Sequence, residues 1–340
     1  MASPSATGSQ EALRACWHPV AFSESLETEP LGVTLLGEAL ALWRDSHGTP
    51  HATSDLCIHR GTALSLGSVQ GDEIVCPYHA WRYATDGRCT AIPQLKDPTR
   101  VPAKARIATY RCDERFGLVW VALEEPRFDL PDASDLEDDE WRTVCSGPHE
   151  WACDASRQIE NFTDFGHFPW VHPGLLGDPE RPVVPEHTVT TKGHVLRYGV
   201  VRPEAANSED FPIFSNPDQE QPLRRSQYEL HLPYTLYLRL GWGGREGMIY
   251  LFASQPVAED RCKGFLVIGR NYNYEQPDQV LIDFEDVIFG QDRRVVESQR
   301  PDRVPFDLAD ELHLKFDAVA VAYRRAMRAE RLAAPDPAND

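Results

Sequence analysis

The sequence predicts an α+β protein: an all-β N-terminal domain followed by a domain with a larger antiparallel sheet and flanking helices. Short alternating segments broken by Gly, Pro and Asp fill 17–125, and longer runs of Val, Tyr, Leu and Ile occupy 187–202 and 226–271. Helical spacing is found in 279–299 and 317–330. Strands and helices that do not alternate regularly along the chain are typical of α+β folds.

The N-terminal domain is predicted from alternating segments at 33–43, 72–76 and 117–123. The stretch PRFDLPDASDLEDDE at 126–140 is acidic and contains two prolines, as is typical of a linker. The expected organisation is, in chain order, a domain at 17–125, an acidic linker at 126–140, a second domain at 141–332 and a frayed tail at 333–340.

The sheet of the second domain is predicted with turns at Gly243-Gly244 and Glu259-Asp260. Helix 279–299 has apolar residues at 281, 284, 288 and 295, which are three, four and seven residues apart. The apolar residues of helix 317–330 have a similar spacing, and Asp317 is its expected N-cap. These helices are expected to flank the sheet.

Charge and composition exclude several classes of partner. The chain has 34 Lys plus Arg against 53 Asp plus Glu, a net charge of −19, which disfavours nucleic acid and anionic membranes. No signal-peptide core and no apolar run of about 18 residues is present, so a cytoplasmic protein is expected. The eight cysteines do not resemble a disulfide framework, so some of them are expected to bind metal.

Two short motifs each offer one thiolate and one imidazole. They are Cys57-Ile-His59-Arg-Gly and Cys76-Pro-Tyr-His79-Ala-Trp. In a Rieske [2Fe-2S] centre the cysteines bind one iron and the histidines the other, which this order of Cys-His, Cys-His predicts. A structural Cys2His2 zinc site is the alternative, although its cysteines and histidines usually occur as separate pairs. The six other cysteines are expected to be small buried apolar residues.

A second constellation lies at 160–172 and contains His167, His172 and Asp164. On a straight helix, residues five apart point about 140° away from each other, so a shared metal requires a bend. Pro169 disfavours helical geometry at Phe168, and a proline kink is expected there. Two histidines and one carboxylate on one face are typical of a non-haem Fe(II) that activates dioxygen.

Asp292 is the predicted carboxylate, because it continues the apolar stripe of helix 279–299 and should point inward beside Val295. A metal ion offsets the cost of burying it. The alternative is a solvated acid or an ion pair with a neighbouring arginine. Asp283, Glu285 and Asp286 lie off the stripe and are expected to be solvated.

Asp164 precedes His167 by three residues and is expected to accept the second ring N–H of a metal-bound histidine. A helix cap or an exposed acid is the alternative. Asn161 is interpreted either as a polar group of the pocket or as a helix-surface residue. The remaining eight histidines, outside the paired spacing, are expected at the surface or hydrogen-bonded in the core.

These residues resemble the α-subunit family of Rieske non-haem-iron oxygenases, from Trp17-His18-Pro19 to the C-terminal helix. Within it, the chain is most similar to the bacterial demethylases that act on methylxanthine N-methyl or vanillate O-methyl groups. Glu160-Asn161-Phe162-Thr163-Asp164-Phe165 and Val296-Glu297-Ser298-Gln299 carry this similarity. It implies a helix-grip-like sheet in the second domain and an oxygenase that hydroxylates a C–H bond or demethylates a small substrate.

The resemblance implies a role for each motif. Cys57, His59, Cys76 and His79 would bind the [2Fe-2S] cluster; His167, His172 and Asp292 would hold the mononuclear Fe(II); Asp164 would connect the two centres between subunits of a head-to-tail homotrimer. Dioxygen would be the cosubstrate, and electrons would come from NAD(P)H through a separate reductase, in some members with a ferredoxin. The absence of a G-x-G-x-x-G nicotinamide motif agrees with this.

The chain departs from the family pattern at two places. Ala80 follows the second cluster histidine, where glycine is usual, and a positive φ there would cost about 1 kcal/mol. Residues 205–250 match no known substrate pocket; the aromatic residues considered there are Phe211, Phe214, Tyr228, Tyr234 and Trp242. Two alternative functions remain at this point: a Rieske electron carrier without catalysis and a zinc-stabilised ligand-binding protein.

Overall fold

The computed structural model describes residues 8–203 and 223–333. Phe211, Phe214 and residues 334–340 of the predicted tail lie outside the described residues. The chain divides into two compact units, and the boundary between Asp129 and Leu130 falls inside the acidic stretch. Part of this stretch is ordered, because Ala133 and Leu136 are buried.

The unit Arg14–Asp129 consists of two antiparallel sheets. Its strands are β1 His18–Phe22, β2 Leu31–Leu35, β3 Glu38–Arg44, β4 Pro50–Ser54, β5 Ser68–Gln70, β6 Glu73–Val75, β7 Arg82–Ala84, β8 Cys89–Ala91, β9 Thr109–Arg115 and β10 Leu118–Ala122. The larger sheet has the order β1-β10-β9-β4-β3-β2, and the smaller one has the order β5-β6-β7-β8. This confirms the predicted all-β domain.

Two apolar clusters stabilise this unit. One contains Leu40 and Val119 from the larger sheet. The other contains Trp43 and Tyr83 and also includes the side chains of Cys57 and Cys76. The two motif cysteines are therefore part of the hydrophobic core.

The second unit contains a seven-stranded antiparallel sheet in the order β11-β17-β16-β15-β14-β13-β12. These strands are β11 Arg142–Trp151, β12 Thr190–Lys192, β13 Val195–Pro203, β14 Leu223–His231, β15 Thr235–Gly241, β16 Gly247–Ala258 and β17 Arg261–Arg270. The predicted strand regions and the turn at Glu259-Asp260 are confirmed. Strand β11 was not predicted, because Pro148 lies at an irregularity in its pairing with β17 and weakens the strand signal.

The helices of the chain are α1 Gly8–Leu13, α2 Ala155–Thr163, α3 Phe168–Val171, α4 Asp278–Val296 and α5 Ala318–Ala329. Helices α4 and α5 confirm the two predicted C-terminal helices, and Asp317 precedes α5 as expected. None of the described helices is long and apolar enough to cross a membrane.

Candidate metal centres and the adjoining pocket

The two Cys-His loops have the same backbone hydrogen bonds. The Gly61 N–H donates to the Cys57 carbonyl at 2.8 Å, and the Ala80 N–H donates to the Cys76 carbonyl at 3.0 Å. Gly61 has a φ of 68° and Ala80 a φ of 55°, so both loops turn through the left-handed region. Ala80 therefore has the backbone conformation in which alanine is less favourable than glycine.

The donor atoms of these loops form two pairs. Nδ1 of His59 lies 3.2 Å from Nδ1 of His79. The Cys57 and Cys76 side chains belong to one core cluster, and burial, together with the neighbouring Cys57 thiol, raises the pKa of Cys76 above its usual value. One thiol pair and one imidazole pair are what a two-iron cluster requires.

The separation of the two pairs disfavours a single zinc ion. A tetrahedral zinc, about 2.0–2.3 Å from each donor, would bring all four donors within about 4 Å of one another. Among the residues that the structure describes, the group of three or more donors within 4.8 Å is His167, His172 and Asp292, which does not include the four Cys and His donors.

Aromatic side chains surround the imidazoles. The Trp81 ring is stacked on His59 with centroids 4.5 Å apart, and the Tyr78 ring lies 3.8 Å from the His79 ring. Tyr78 is exposed and covers its imidazole, whereas Trp81 is partly buried and also packs against the core cluster that contains Trp43 and Tyr83. The Tyr83 hydroxyl lies 3.1 Å from Cys57 Sγ, a contact that the sequence did not indicate.

The second constellation depends on a break between α2 and α3. The Asp164 carboxylate accepts hydrogen bonds from the N–H groups of Gly166 at 3.0 Å and His167 at 3.1 Å, so the chain turns there. His167 is the N-cap of α3 and His172 its C-cap. The expected kink at Phe168 is wrong: the break precedes it, and Pro169 lies in the first turn of α3, where no donor is required.

Helix α4 brings Asp292 to the same place. The side chain is buried, and its Oδ1 lies 2.9 Å from Nε2 of His172 and 3.4 Å from Nε2 of His167. These three atoms are buried, and none has a hydrogen-bond partner among residues 8–203 and 223–333. Burial excludes a solvated Asp292, and Arg293 donates instead to Glu297 at 2.8 Å.

The expected position of Val295 beside Asp292 is wrong. Val295 is 43% exposed, whereas Val296 is 1% exposed. The buried stripe advances by four residues from Ile288 through Asp292 to Val296. Consecutive side chains on an α-helix point about 100° apart, so Val295 lies off the stripe that Val296 continues.

The other ring nitrogen of each histidine has its own partner. Nδ1 of His167 lies 2.8 Å from the Asp164 carboxylate, and Nδ1 of His172 lies 2.7 Å from Oε1 of Gln291. Burial raises the pKa of Asp164, but the hydrogen bond from His167 and those from the backbone outweigh it and lower the pKa below its usual value. Both rings are thus oriented with Nε2 toward Asp292. Gln291 was not predicted, because a residue next to Asp292 in sequence is not expected to reach the same histidine pair.

A pocket with an empty volume of about 750 Å³ adjoins these three donors. Asn161, His167 and Asp292 lie in its wall, and so do Tyr228 and Tyr250, two described aromatic residues of the 205–250 region. Most of the other lining residues are apolar: Phe162, Phe168, Leu176, Leu236, Leu238, Leu240, Phe252, Leu266, Phe284 and Ile288. The amide nitrogen of Asn161 is buried without a hydrogen-bond partner, which agrees with a polar group of the pocket.

Glu285 also lines this pocket, and the expectation that it is solvated is wrong. The side chain is buried, and burial raises its pKa to about 8, although a hydrogen bond with Tyr250 acts in the opposite direction. Glu285 lies four residues after Leu281 and seven before Asp292, so it shares their stripe. Asp283 and Asp286 are exposed, as expected.

Two family models match separate parts of the chain. The Rieske [2Fe-2S] domain matches residues 16–111, and the vanillate O-demethylase oxygenase C-terminal domain matches residues 151–333. The methylxanthine N1-demethylase NdmA of Pseudomonas putida is 35% identical over 334 residues, which cover 94% of this chain and 89% of the relative. The chain belongs to the Rieske non-haem-iron oxygenases. The match to the oxygenase domain favours a catalytic protein over a pure electron carrier.

Two further comparisons agree with this family. The methylxanthine N3-demethylase NdmB of Pseudomonas putida is 32% identical over 92% of this oxygenase and 88% of the relative. The structure of NdmA from Pseudomonas putida CBB5 with caffeine superimposes with a TM-score of 0.84 and 31% identity, covering 95% of this chain and 93% of the other. The α+β fold, the iron–sulfur cluster and the enzyme class are therefore confirmed.

The two cluster loops provide a reciprocal test of backbone strain. Ala80→Gly should raise the thermal midpoint of the holoprotein, because it removes a left-handed alanine that costs about 1 kcal/mol. Gly61→Ala should lower the midpoint, since a Cβ there meets no atom within 4 Å and only the φ of 68° opposes it. Differential scanning calorimetry with cluster absorbance measures both. Equal shifts of the same sign would contradict the strain at Ala80.

Proposed function

We propose that this oxygenase uses dioxygen and electrons from a separate NAD(P)H-dependent reductase to remove a methyl group from nitrogen or oxygen of a small aromatic or heterocyclic compound. In this proposal Cys57, His59, Cys76 and His79 hold the [2Fe-2S] cluster, and His167, His172 and Asp292 hold one Fe(II). The domains would be 17–125 and 141–332, joined by 126–140. The single observation that carries the proposal is the convergence of three buried donor atoms without partners, beside an apolar pocket.

The donor set fits a non-haem Fe(II) site; two histidines and a carboxylate also bind zinc, and the match to the oxygenase family favours iron. Two imidazole nitrogens and one carboxylate oxygen within 4.8 Å are the ligands of non-haem Fe(II) oxygenases, which leave coordination positions open. Buried polar atoms without partners are costly, so a cation offsets that cost here. Iron bound by this set would supply the activation of dioxygen.

The residues of the chain would control what the metal can do. Asp164 and Gln291 accept the Nδ1 protons of His167 and His172, which fixes the tautomer that leaves each Nε2 free to bind metal. The apolar wall excludes water and orients the methyl group toward the three donors. One methyl group, one O2, two electrons and two protons would give the demethylated compound, formaldehyde and water.

We propose a head-to-tail homotrimer in which the cluster of one subunit serves the iron of the next. Asp164 lines a polar cavity whose rim includes the exposed side chains of Val295, Leu312 and Phe316. In the other unit, Ile58 and Tyr78 are exposed beside the cluster histidines. Apolar surface on both sides of an electron-transfer path favours an interface between copies, and one heterologous contact repeated three times closes a ring.

The names of the relatives support this choice of reaction. NdmA and NdmB are methylxanthine demethylases, and the oxidoreductase NdmD of Pseudomonas putida is 38% identical over 32% of this chain. A separate reductase of similar kind would supply electrons here. Eight free thiols suit the reducing conditions of the cytoplasm, where we place the protein.

Iron analysis tests the two metal centres. The purified protein should contain about three irons and two acid-labile sulfides per chain, and His167→Ala should lower the iron content by one while the cluster absorbance is kept. His47→Ala, at an exposed histidine of the N-terminal unit, is the control and should keep three irons. Two irons per chain in the unsubstituted protein after anaerobic reconstitution with Fe(II) would contradict the mononuclear site.

Asp164→Asn tests the connection between the centres. The variant should bind both metals but slow the oxidation of the reduced cluster by about 10- to 100-fold, because a neutral amide orients His167 less well. Stopped-flow absorbance with dioxygen and a demethylated substrate measures the rate. Asp178→Asn, at an acid whose side chain is 40% exposed and pairs with Arg181, should react at the wild-type rate. A wild-type rate in Asp164→Asn would refute the bridging role.

The reaction itself is tested with a surrogate reductase, NADH and a panel of N-methyl heterocycles and methoxyarenes. One formaldehyde should form for each substrate consumed, and none should form without dioxygen. Mass spectrometry should show a product that has lost one CH2 unit. Hydroxylation of a ring carbon, with the methyl group retained, would contradict demethylation and indicate another oxygenase activity.

A further inference from the structure

Arg324 of α5 is a buried arginine that joins three separate parts of the chain. The residue is 1% exposed, and its guanidinium forms a fork with the Glu160 carboxylate of α2, with N···O distances of 2.6 and 2.8 Å. The same group donates to the Glu311 carboxylate at 2.6 Å and to the Pro305 carbonyl at 3.0 Å. Helix α2, the segment after α4 and helix α5 are therefore held together at one side chain.

A second arginine completes a buried ionic network. Arg157, which precedes Glu160 on α2 by three residues, is 5% exposed and donates to Glu311 at 3.0 Å. Burial raises the pKa of Glu311, but the hydrogen bonds from Arg324 and Arg157 outweigh it and lower the pKa below its usual value. Well-packed apolar residues can often replace a buried ionic network without loss of stability, so a function other than stability is indicated.

The network lies beside the acid that orients one of the two candidate metal-binding histidines. Glu160 is in the last turn of α2, and the Asp164 N–H donates to the Asn161 carbonyl at 3.2 Å where the chain leaves the helix. Glu160, Asp164 and Arg324 line one polar cavity. Because His167 is oriented by Asp164, whatever fixes the last turn of α2 also controls that histidine.

We propose that Arg324 is a positioning residue for electron transfer: through Glu160 it holds the end of α2 so that Asp164 can connect the two metal centres. This inference rests on the bridging role proposed for Asp164 and extends it to the C-terminal helix. A guanidinium is suited to this task, because two parallel hydrogen bonds fix the direction of a carboxylate as well as its distance. A lysine in its place would keep the charge but lose the direction.

Arg324→Met and Arg324→Lys test the inference in the protein loaded with both metals. Nitric oxide bound to the mononuclear Fe(II) gives an EPR signal whose line shape depends on the orientation of the iron ligands. Arg324→Met should change this line shape in the same way as Asp164→Asn does, because both variants release His167. Arg324→Lys should give an intermediate change, since it keeps the charge without the fork. Arg325→Met, at the exposed arginine next along α5, is the matched control and should give the wild-type signal.

Electron transfer is the second measurement, with a compound of the panel that is demethylated. Oxidation of the reduced cluster by dioxygen should be about 10-fold slower in Arg324→Met than in the wild type, whereas reduction of the cluster by dithionite and the iron content should be unchanged. Glu160→Gln should slow the oxidation as much, and the double variant no more than either single one, because the two residues act as a unit. Met327→Ala, at a buried apolar residue of α5, should lower the thermal midpoint without slowing the oxidation.

A wild-type EPR signal in Arg324→Met would overturn the inference, and so would equal slowing in Met327→Ala, because helix packing rather than the ion pair would then decide. Slowing in Asp164→Asn but not in Arg324→Met would keep the bridge and remove its positioning by Arg324. A changed EPR signal in Arg324→Met, together with wild-type electron transfer in Asp164→Asn, would remove the bridge while the positioning through Glu160 stands. If Arg324→Met does not fold, Arg324→Lys and Glu160→Gln provide the same comparison.

Discussion

The catalytic half of this oxygenase depends on the burial of one carboxylate. Asp292 lies on the inward stripe of α4, and its Oδ1 is within 3.4 Å of one histidine nitrogen and 2.9 Å of another. The break after α2 brings both histidines to that oxygen, and Asp164 forms this break with the same carboxylate that orients His167. Chain direction, ring orientation and charge are thus determined together by a few hydrogen bonds.

The N-terminal unit distributes its ligands differently. The two cysteines belong to the apolar core, whereas the imidazoles lie at the edge beneath Trp81 and Tyr78. In the proposed assignment, electrons would reach or leave the cluster more easily on the histidine side, because the thiolate side is covered by protein. The repeated backbone pattern of the two loops explains why such different sequences, Ile-His-Arg and Pro-Tyr-His, present equivalent donors.

Much of this arrangement could be predicted from sequence, because metal ligands occur in short motifs and strands and helices follow apolar periodicity. The α+β fold and both C-terminal helices were predicted correctly. The errors occurred where position depends on tertiary packing. Glu285 was assigned to solvent because it was placed off the apolar stripe, although it lies four residues after Leu281 and seven before Asp292 and is buried with them. Gln291 could not be found, since its contact with His172 joins residues that are far apart in the chain.

The three unpartnered donor atoms also have a consequence for the life of the protein in the cell. A ligand that binds only the folded state stabilises it by mass action, and here that ligand would be iron. Chains made during iron shortage would keep costly polar atoms in the interior of the sheet-and-helix unit and would unfold there more often. Proteases would remove them faster, so the abundance of the enzyme would follow nutrient iron even without a change in transcription.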